Sequence, residues 1–361
     1  MKSANDYSHS LSQEENRAVW PDILRIVAIF AVIMLHAAAA GYQTFNVRSI
    51  QWQCCNLYNS LSRFGVPIFV MLSGMFLLNP ARNYTIKKLY FQKIPRMMTA
   101  FLFWSTFYAV IPLIKNLHDN IVSLNCNLLY PLALEITNGH VHLWFLFMIS
   151  GLYMITPLLR NIVKDEKLTI YFLVLCLVFV FITNSLNQIS FLPKSLILTM
   201  NRFNVKLVSG YSGYFVWGFF LSQHQLTDRT RTIIYIIGFI SALLTAALNG
   251  FAGYYYNTPG KWMLANLSIN ILCMATAVFV FFQYHFQDVR FSHQTQKFLV
   301  LLGKWSFGIY LVHMCFHTYI VPRFFIHPIL SIPISSIITF IFSLITVSVL
   351  SRIPILNKFI M

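Results

Sequence analysis

An arginine and a histidine stand eleven residues apart in an otherwise apolar run, Trp20-Pro-Asp-Ile-Leu-Arg25 to Leu35-His36. On a helix, eleven residues advance about 1100°, roughly 20° past three full turns, and rise about 16 Å. Arg25 and His36 therefore project from one face. Asp22 lies three residues before Arg25, within reach of its guanidinium. A charged side chain inside a bilayer costs roughly 2.5–3.5 kcal/mol on insertion scales, so such residues are candidates for function. A fixed cation would hold an anion. A neutral imidazole would take a proton near neutral pH. The structural alternative is that Arg25 snorkels to headgroups while His36 sits at the opposite interface.

Four further segments carry polar groups in apolar surroundings. Ser73-Gly74 is a small pair that allows close helix approach or leaves room for a substrate chain. Lys93 and Arg96, at i and i+3, open an apolar run and suit a phosphate or pyrophosphate, although topology alone also concentrates basic residues there. His140-Val-His142-Leu-Trp144 opens another run. On a helix its two histidines diverge by about 200° and make poor joint metal ligands. His142 with Trp144 reads as a sugar-positioning edge or as an interfacial belt. Ser306, Tyr310 and His313 recur at i, i+4 and i+7, and His317 continues their face. Such a stripe lines a cavity or another helix, not lipid. There is no Gly-rich nucleotide loop, HExxH helix, GxSxG elbow or metal-type cysteine spacing. No metal is expected. Acidic residues fall at span ends or in loops, which argues against proton- or cation-coupled transport.

The elements that position these residues follow from composition. The chain has 361 residues, 57% hydrophobic and only 10% charged, against roughly 25% charged in soluble domains. The fold class is all-α: a polytopic integral membrane protein of about ten transmembrane helices, near 20–40, 62–79, 97–114, 142–159, 168–186, 208–223, 232–249, 263–284, 299–320 and 331–350. The apolar stretch 121–136 reads as re-entrant or interfacial. Net charge is +16. In a soluble protein that would suggest nucleic acid, but here the basic residues sit in short loops and no nucleic-acid partner is expected. Seventeen Lys and Arg fall on one side, including Arg82, Lys87, Lys88, Lys93 and Arg96, and eight on the other, with Arg25 apart. The imbalance predicts both termini in the cytoplasm. Residues 1–19 and 351–361 are then cytoplasmic tails around a membrane domain at 20–350. The polar first 19 residues do not resemble a signal peptide. Cys54, Cys55 and Cys126 fall in expected external loops where a disulfide is possible.

Taken in order, Asp22-Ile-Leu-Arg25 with His36, Pro67-Ile-Phe-Val-Met-Leu-Ser73-Gly74, the pair Lys93 and Arg96, His142-Leu-Trp144 and Ser306-Phe-Gly-Ile-Tyr310-Leu-Val-His313 resemble the membrane-bound acyltransferase family 3. The likeness runs from Trp20 to about Leu350 and is nearest to the short bacterial O-acetyltransferases. It implies transfer of an acyl group, usually acetyl, from cytoplasmic acetyl-CoA to a hydroxyl of a cell-surface or lipid-linked polysaccharide, of the O-antigen, enterobacterial common antigen or exopolysaccharide type. It implies a bacterial inner-membrane enzyme and leaves a homo-oligomer open. The family's arginine–histidine pair maps onto Arg25 and His36. Its RxxR motif maps onto Lys93 and Arg96, where lysine keeps the charge but loses the guanidinium fork. In that reading His36 is the base. Arg25, Lys93 and Arg96 hold CoA. Asp22, Ser73, His142, Trp144, Tyr310 and His313 line the substrate cavity. The competing reading is a membrane transporter or flippase of a glycan or acyl-linked metabolite, which needs the spans and the basic entrance but no acetyl-CoA.

Overall fold

The computed structural model describes residues 18–82, 84–119, 129–189, 198–200, 202, 203, 205, 208, 210–259, 263–321 and 326–359. Its regular elements there are helices: α1 (Trp20–Ala39), α2 (Ile50–Leu61), α3 (Gly65–Leu77), α4 (Ile94–His118), α5 (Leu129–Asn138), α6 (Trp144–Ile162), α7 (Glu166–Cys176), α8 (Ser212–Gln223), α9 (Asp228–Tyr256), α10 (Ile269–Phe286), α11 (His293–Tyr319) and α12 (Pro328–Leu350). Helix is the way a chain satisfies every backbone N–H and C=O within lipid.

Among the described residues, nine helical stretches are long and apolar enough to cross a membrane. The all-α polytopic expectation stands. Two spans differ from their expected form. The second is not confined to 62–79, because α2 and α3 together make a stretch from Ile50 to Leu77. Ile50–Leu61 carries Gln51, Gln53, Asn56 and Asn59, so its polarity concealed a helix. At 208–223, α8 has only 12 residues, about 18 Å of helix. In the stretch 121–136, residues 129–136 belong to the ten-residue α5, and 121–128 lie outside the described residues. Cys54 and Cys55 are free thiols within α2 rather than in a loop, and Cys126 lies outside the described residues.

Helix α1 is the hub, packing against α2, α3, α10, α11 and α12. Leu24, Ala28, Ile29 and Ile33 are fully buried in it. Small polar residues also point inward, and many large apolar ones face outward. On α12, Ser331, Ser335, Ser336, Thr339 and Ser343 are buried, while on α9 Ile236, Phe239 and Phe251 are exposed. That inversion suits a bundle whose solvent is hydrocarbon. Gly303 lets α11 come close to α1, since a Cβ there would stand 2.6 Å from that of Asp22.

Candidate active site

Two polar regions lie at opposite ends of α1. The Arg25 end opens onto a cavity of about 340 Å³ lined by four cations, Arg25, Lys93, Arg96 and Lys304. Arg25 donates to the Asp22 carboxylate at 2.6 Å. Asp22 is fully buried, so the pair fixes the guanidinium from beneath. The Arg25 guanidinium also lies over the Phe76 ring at 4.8 Å, and Arg82 covers the same ring at 4.4 Å. Lys93 ends a π-helical turn, Leu89–Lys93, that leads into α4 and brings Lys93 and Arg96 to the cavity together. Ser73 and Tyr153 line it too, with the Ser73 hydroxyl donating to the Phe69 carbonyl at 2.7 Å.

At its far end the cavity meets Phe69, Phe145 and Tyr310. Ring centroids separate Phe69 from Phe145 by 6.2 Å and Phe145 from Tyr310 by 5.5 Å. Tyr310 belongs to both regions. Its ring lines the cavity, its hydroxyl donates to the His142 carbonyl, and its own carbonyl accepts from His313 Nδ1 at 2.6 Å.

Beyond Tyr310 the histidines converge. His36 lies 5.4 Å from His313, and His142 lies 5.1 Å from His313, between ring centroids. His140 and His142 approach at 2.9 Å between their Nδ1 atoms. This corrects the expectation that they diverge along one helix. Helix α6 begins only at Trp144, and residues 139–143 form a turn entered through Gly139 at φ 74°. That turn folds both imidazoles onto Tyr108, which stacks on His140 at 4.6 Å and donates from its hydroxyl to the Leu311 carbonyl. A nitrogen–nitrogen distance of 2.9 Å lies in the hydrogen-bond range. Among the described residues no group of His, Cys, Asp and Glu is arranged to hold a metal ion.

Hydrogen-bond partners assign the tautomers. His313 Nδ1 faces a carbonyl and must carry its proton, which leaves Nε2 as a lone-pair acceptor, buried and without a partner among the described residues. His142 directs Nε2 at the Leu311 carbonyl, 3.4 Å away, so its Nδ1 accepts from His140. Burial lowers the pKa of His140. Burial, reinforced by the neighbouring His313, His140 and His36, lowers that of His142 well below the ordinary value. Both are neutral near pH 7.

Of the residues singled out from sequence, Arg25, Ser73, Lys93, Arg96 and Tyr310 share the cavity, with Asp22 beneath Arg25. His36, His142 and His313 share the cluster. Trp144 joins neither: it is 42% exposed and leans on Tyr211 at 5.7 Å. Sequence reasoning missed Lys304, Tyr153, Tyr108 and the part His140 plays. Lys304 was counted only among the seventeen basic residues of one side, although it lies two residues before the polar stripe that starts at Ser306.

A family model described as an acyltransferase domain matches residues 18–348. The chain belongs to that acyltransferase family. No curated protein and no solved structure gives a match. The matched segment runs from before α1 to near the end of α12, so both regions of the site lie inside the acyltransferase domain. With nine stretches among the described residues long and apolar enough to cross a bilayer, the protein is a multi-pass membrane acyltransferase.

Proposed function

We propose that this acyltransferase moves an acetyl group from acetyl-CoA to a hydroxyl of a cell-surface or lipid-linked polysaccharide. The supporting observation is a four-cation cavity that meets, at Tyr310, the histidine cluster containing His36. Phosphates and a pyrophosphate carry the charge of CoA, and Arg25, Lys93, Arg96 and Lys304 match it. A cavity of about 340 Å³ suits the pantetheine arm. The nucleotide would lie at the mouth, where Arg96 is exposed. Excess basic charge on that side supports a cytoplasmic mouth and cytoplasmic termini in the bacterial inner membrane.

In this reading His36 takes the proton of the acceptor hydroxyl. The hydroxyl oxygen bonds to the acetyl carbon, the carbon–sulfur bond breaks, and the proton passes on to the departing CoA thiolate. His313, held by Tyr310 with Nε2 as acceptor, keeps the surroundings of His36 able to receive a proton. Arg25 holds donor charge, with its orientation set by Asp22.

The test is mass spectrometry of surface polysaccharide from cells with wild-type protein, with His36→Ala and with none. Purified protein is assayed in parallel for acetyl-CoA consumption. The expected result is a mass gain of one acetyl group per modified repeat in wild type alone. Unchanged glycan in all three strains, with no acetyl-CoA consumed, would leave the transporter reading standing.

A further inference from the structure

Among the described residues, Arg63 is a cation without an acid. It sits near the middle of the Ile50–Leu77 stretch, between α2 and α3, and it is half-buried. By charge count it falls among the eight basic residues on the side opposite Arg82 and Arg96. Its Nε and Nη2 both donate to Asn59 Oδ1, at 3.0 and 2.5 Å. Among the described residues no carboxylate lies within ion-pair distance of it, and Nη1 has no partner. A guanidinium inside a span held only by an amide oxygen is costly unless an anion completes its coordination.

Its surroundings identify that anion's owner. Asn59 is buried and uses its Nδ2 to bond the Leu35 carbonyl at 3.3 Å, next to His36. One amide therefore ties Arg63 to the backbone that carries His36. Arg63 also lies within electrostatic reach of Tyr42 and Tyr211. Tyr211 accepts from Asn266 Nδ2 at 3.1 Å and leans on the exposed ring of Trp144. Aromatic faces and hydroxyls beside a cation suit a sugar ring bearing a negative group. CoA phosphates would be held at the other end of α1, about 16 Å away, so they do not supply the charge.

We infer that Arg63 is a binding residue for an oxyanion, carboxylate or phosphate, carried by the glycan acceptor next to His36. The inference rests on the acetyl-transfer reading and narrows its acceptor to an acidic glycan. Nε and Nη2 stay on Asn59 while Nη1 takes the ligand oxygen. Tyr211 and Trp144 provide the surface for the ring.

The full-length protein, purified in detergent, is followed by thermal unfolding against methyl glucoside, methyl glucuronide, glucose 1-phosphate and CoA. Wild type should be stabilised by at least one of the two anionic sugars and not by methyl glucoside. The glucuronide responding alone assigns a carboxylate, and glucose 1-phosphate responding alone assigns a phosphate. Arg63→Gln should weaken the anionic-sugar response about tenfold while leaving the CoA response intact, and Arg63→Lys should fall between. Equal responses to all three sugars, no response to any, or unchanged anionic-sugar binding in Arg63→Gln would overturn the inference. The wild-type comparison decides it even if Arg63→Gln does not fold. If CoA fails to stabilise wild type, the donor side of the acetyl-transfer reading fails instead, and the sugar responses are read separately.

Discussion

The two ends of α1 solve opposite electrostatic problems with one helix. At the Arg25 end, four cations gather around a cavity, and Asp22 anchors one of them by a 2.6 Å ion pair. At the His36 end, imidazoles gather instead, held by Tyr310, Tyr108 and backbone carbonyls. A fixed charge suits an anion that must be gripped throughout a reaction. A group that takes up and releases a proton has to be neutral at rest. Tyr310 reaches both, so the regions are separate in chemistry and continuous in structure.

That contrast can be broken one end at a time. The largest effect is expected at His36. His36→Gln should lower turnover of acetyl-CoA by about 10²–10⁴-fold, the usual contribution of a general base, while CoA affinity measured by calorimetry stays within a factor of about two. A matching loss of CoA affinity would mean that the two ends are not functionally distinct.

Next comes the buried ion pair. Asp22→Ala leaves Arg25 without its carboxylate, and breaking a buried pair costs about 3–5 kcal/mol. Arg25 is 23% exposed, so a value near the lower bound is expected, read as a fall in the thermal midpoint in detergent. Gly303→Ala should destabilise the same end by about 1–3 kcal/mol, the usual penalty of overpacking, because its Cβ meets Asp22. Neither change should alter the pH profile of the histidine cluster.

Lys93→Gln and Arg96→Gln should each raise the KM for acetyl-CoA about tenfold with little change in kcat. That is the pattern when binding common to ground and transition states is removed. A fall in kcat alone would move these residues from the donor's grip to the reacting centre.

The smallest effect is the pH dependence of stability. Burial depresses the pKa of both His140 and His142. Unfolded histidine takes up a proton near 6.5, whereas the folded forms resist it. Their contribution to stability is therefore complete above pH 6.5 and is lost progressively as pH falls below it. His140→Gln should flatten this acid-side slope of the thermal midpoint. An unchanged slope would place its origin outside the turn.

Much of the first region was legible. The eleven-residue spacing of Arg25 and His36, the i, i+3 pair Lys93 and Arg96, and the inward stripe Ser306–Tyr310–His313 are local helical geometry, which period and spacing encode. The second region was less so. His140 and His142 were read on a helix pointing apart, and only a turn through Gly139 brings their nitrogens together. Arg63 was counted only among the eight basic residues of one side, and its orientation depends on Asn59 reaching across to Leu35.

By itself, the sequence determined the solvent of this protein, its helical class, the face shared by Arg25 and His36, and the side on which basic residues accumulate. Composition and helical period are sufficient for these, because lipid requires each span to satisfy its backbone within itself. Only the tertiary structure decided which polar residues meet. Lys304 joins Lys93 and Arg96, His313 joins His36, and Tyr310 links cavity to cluster through contacts between segments more than 160 residues apart in the chain. Such meetings depend on helix packing angles and close approaches such as that at Gly303, and spacing along a single segment carries no information about them.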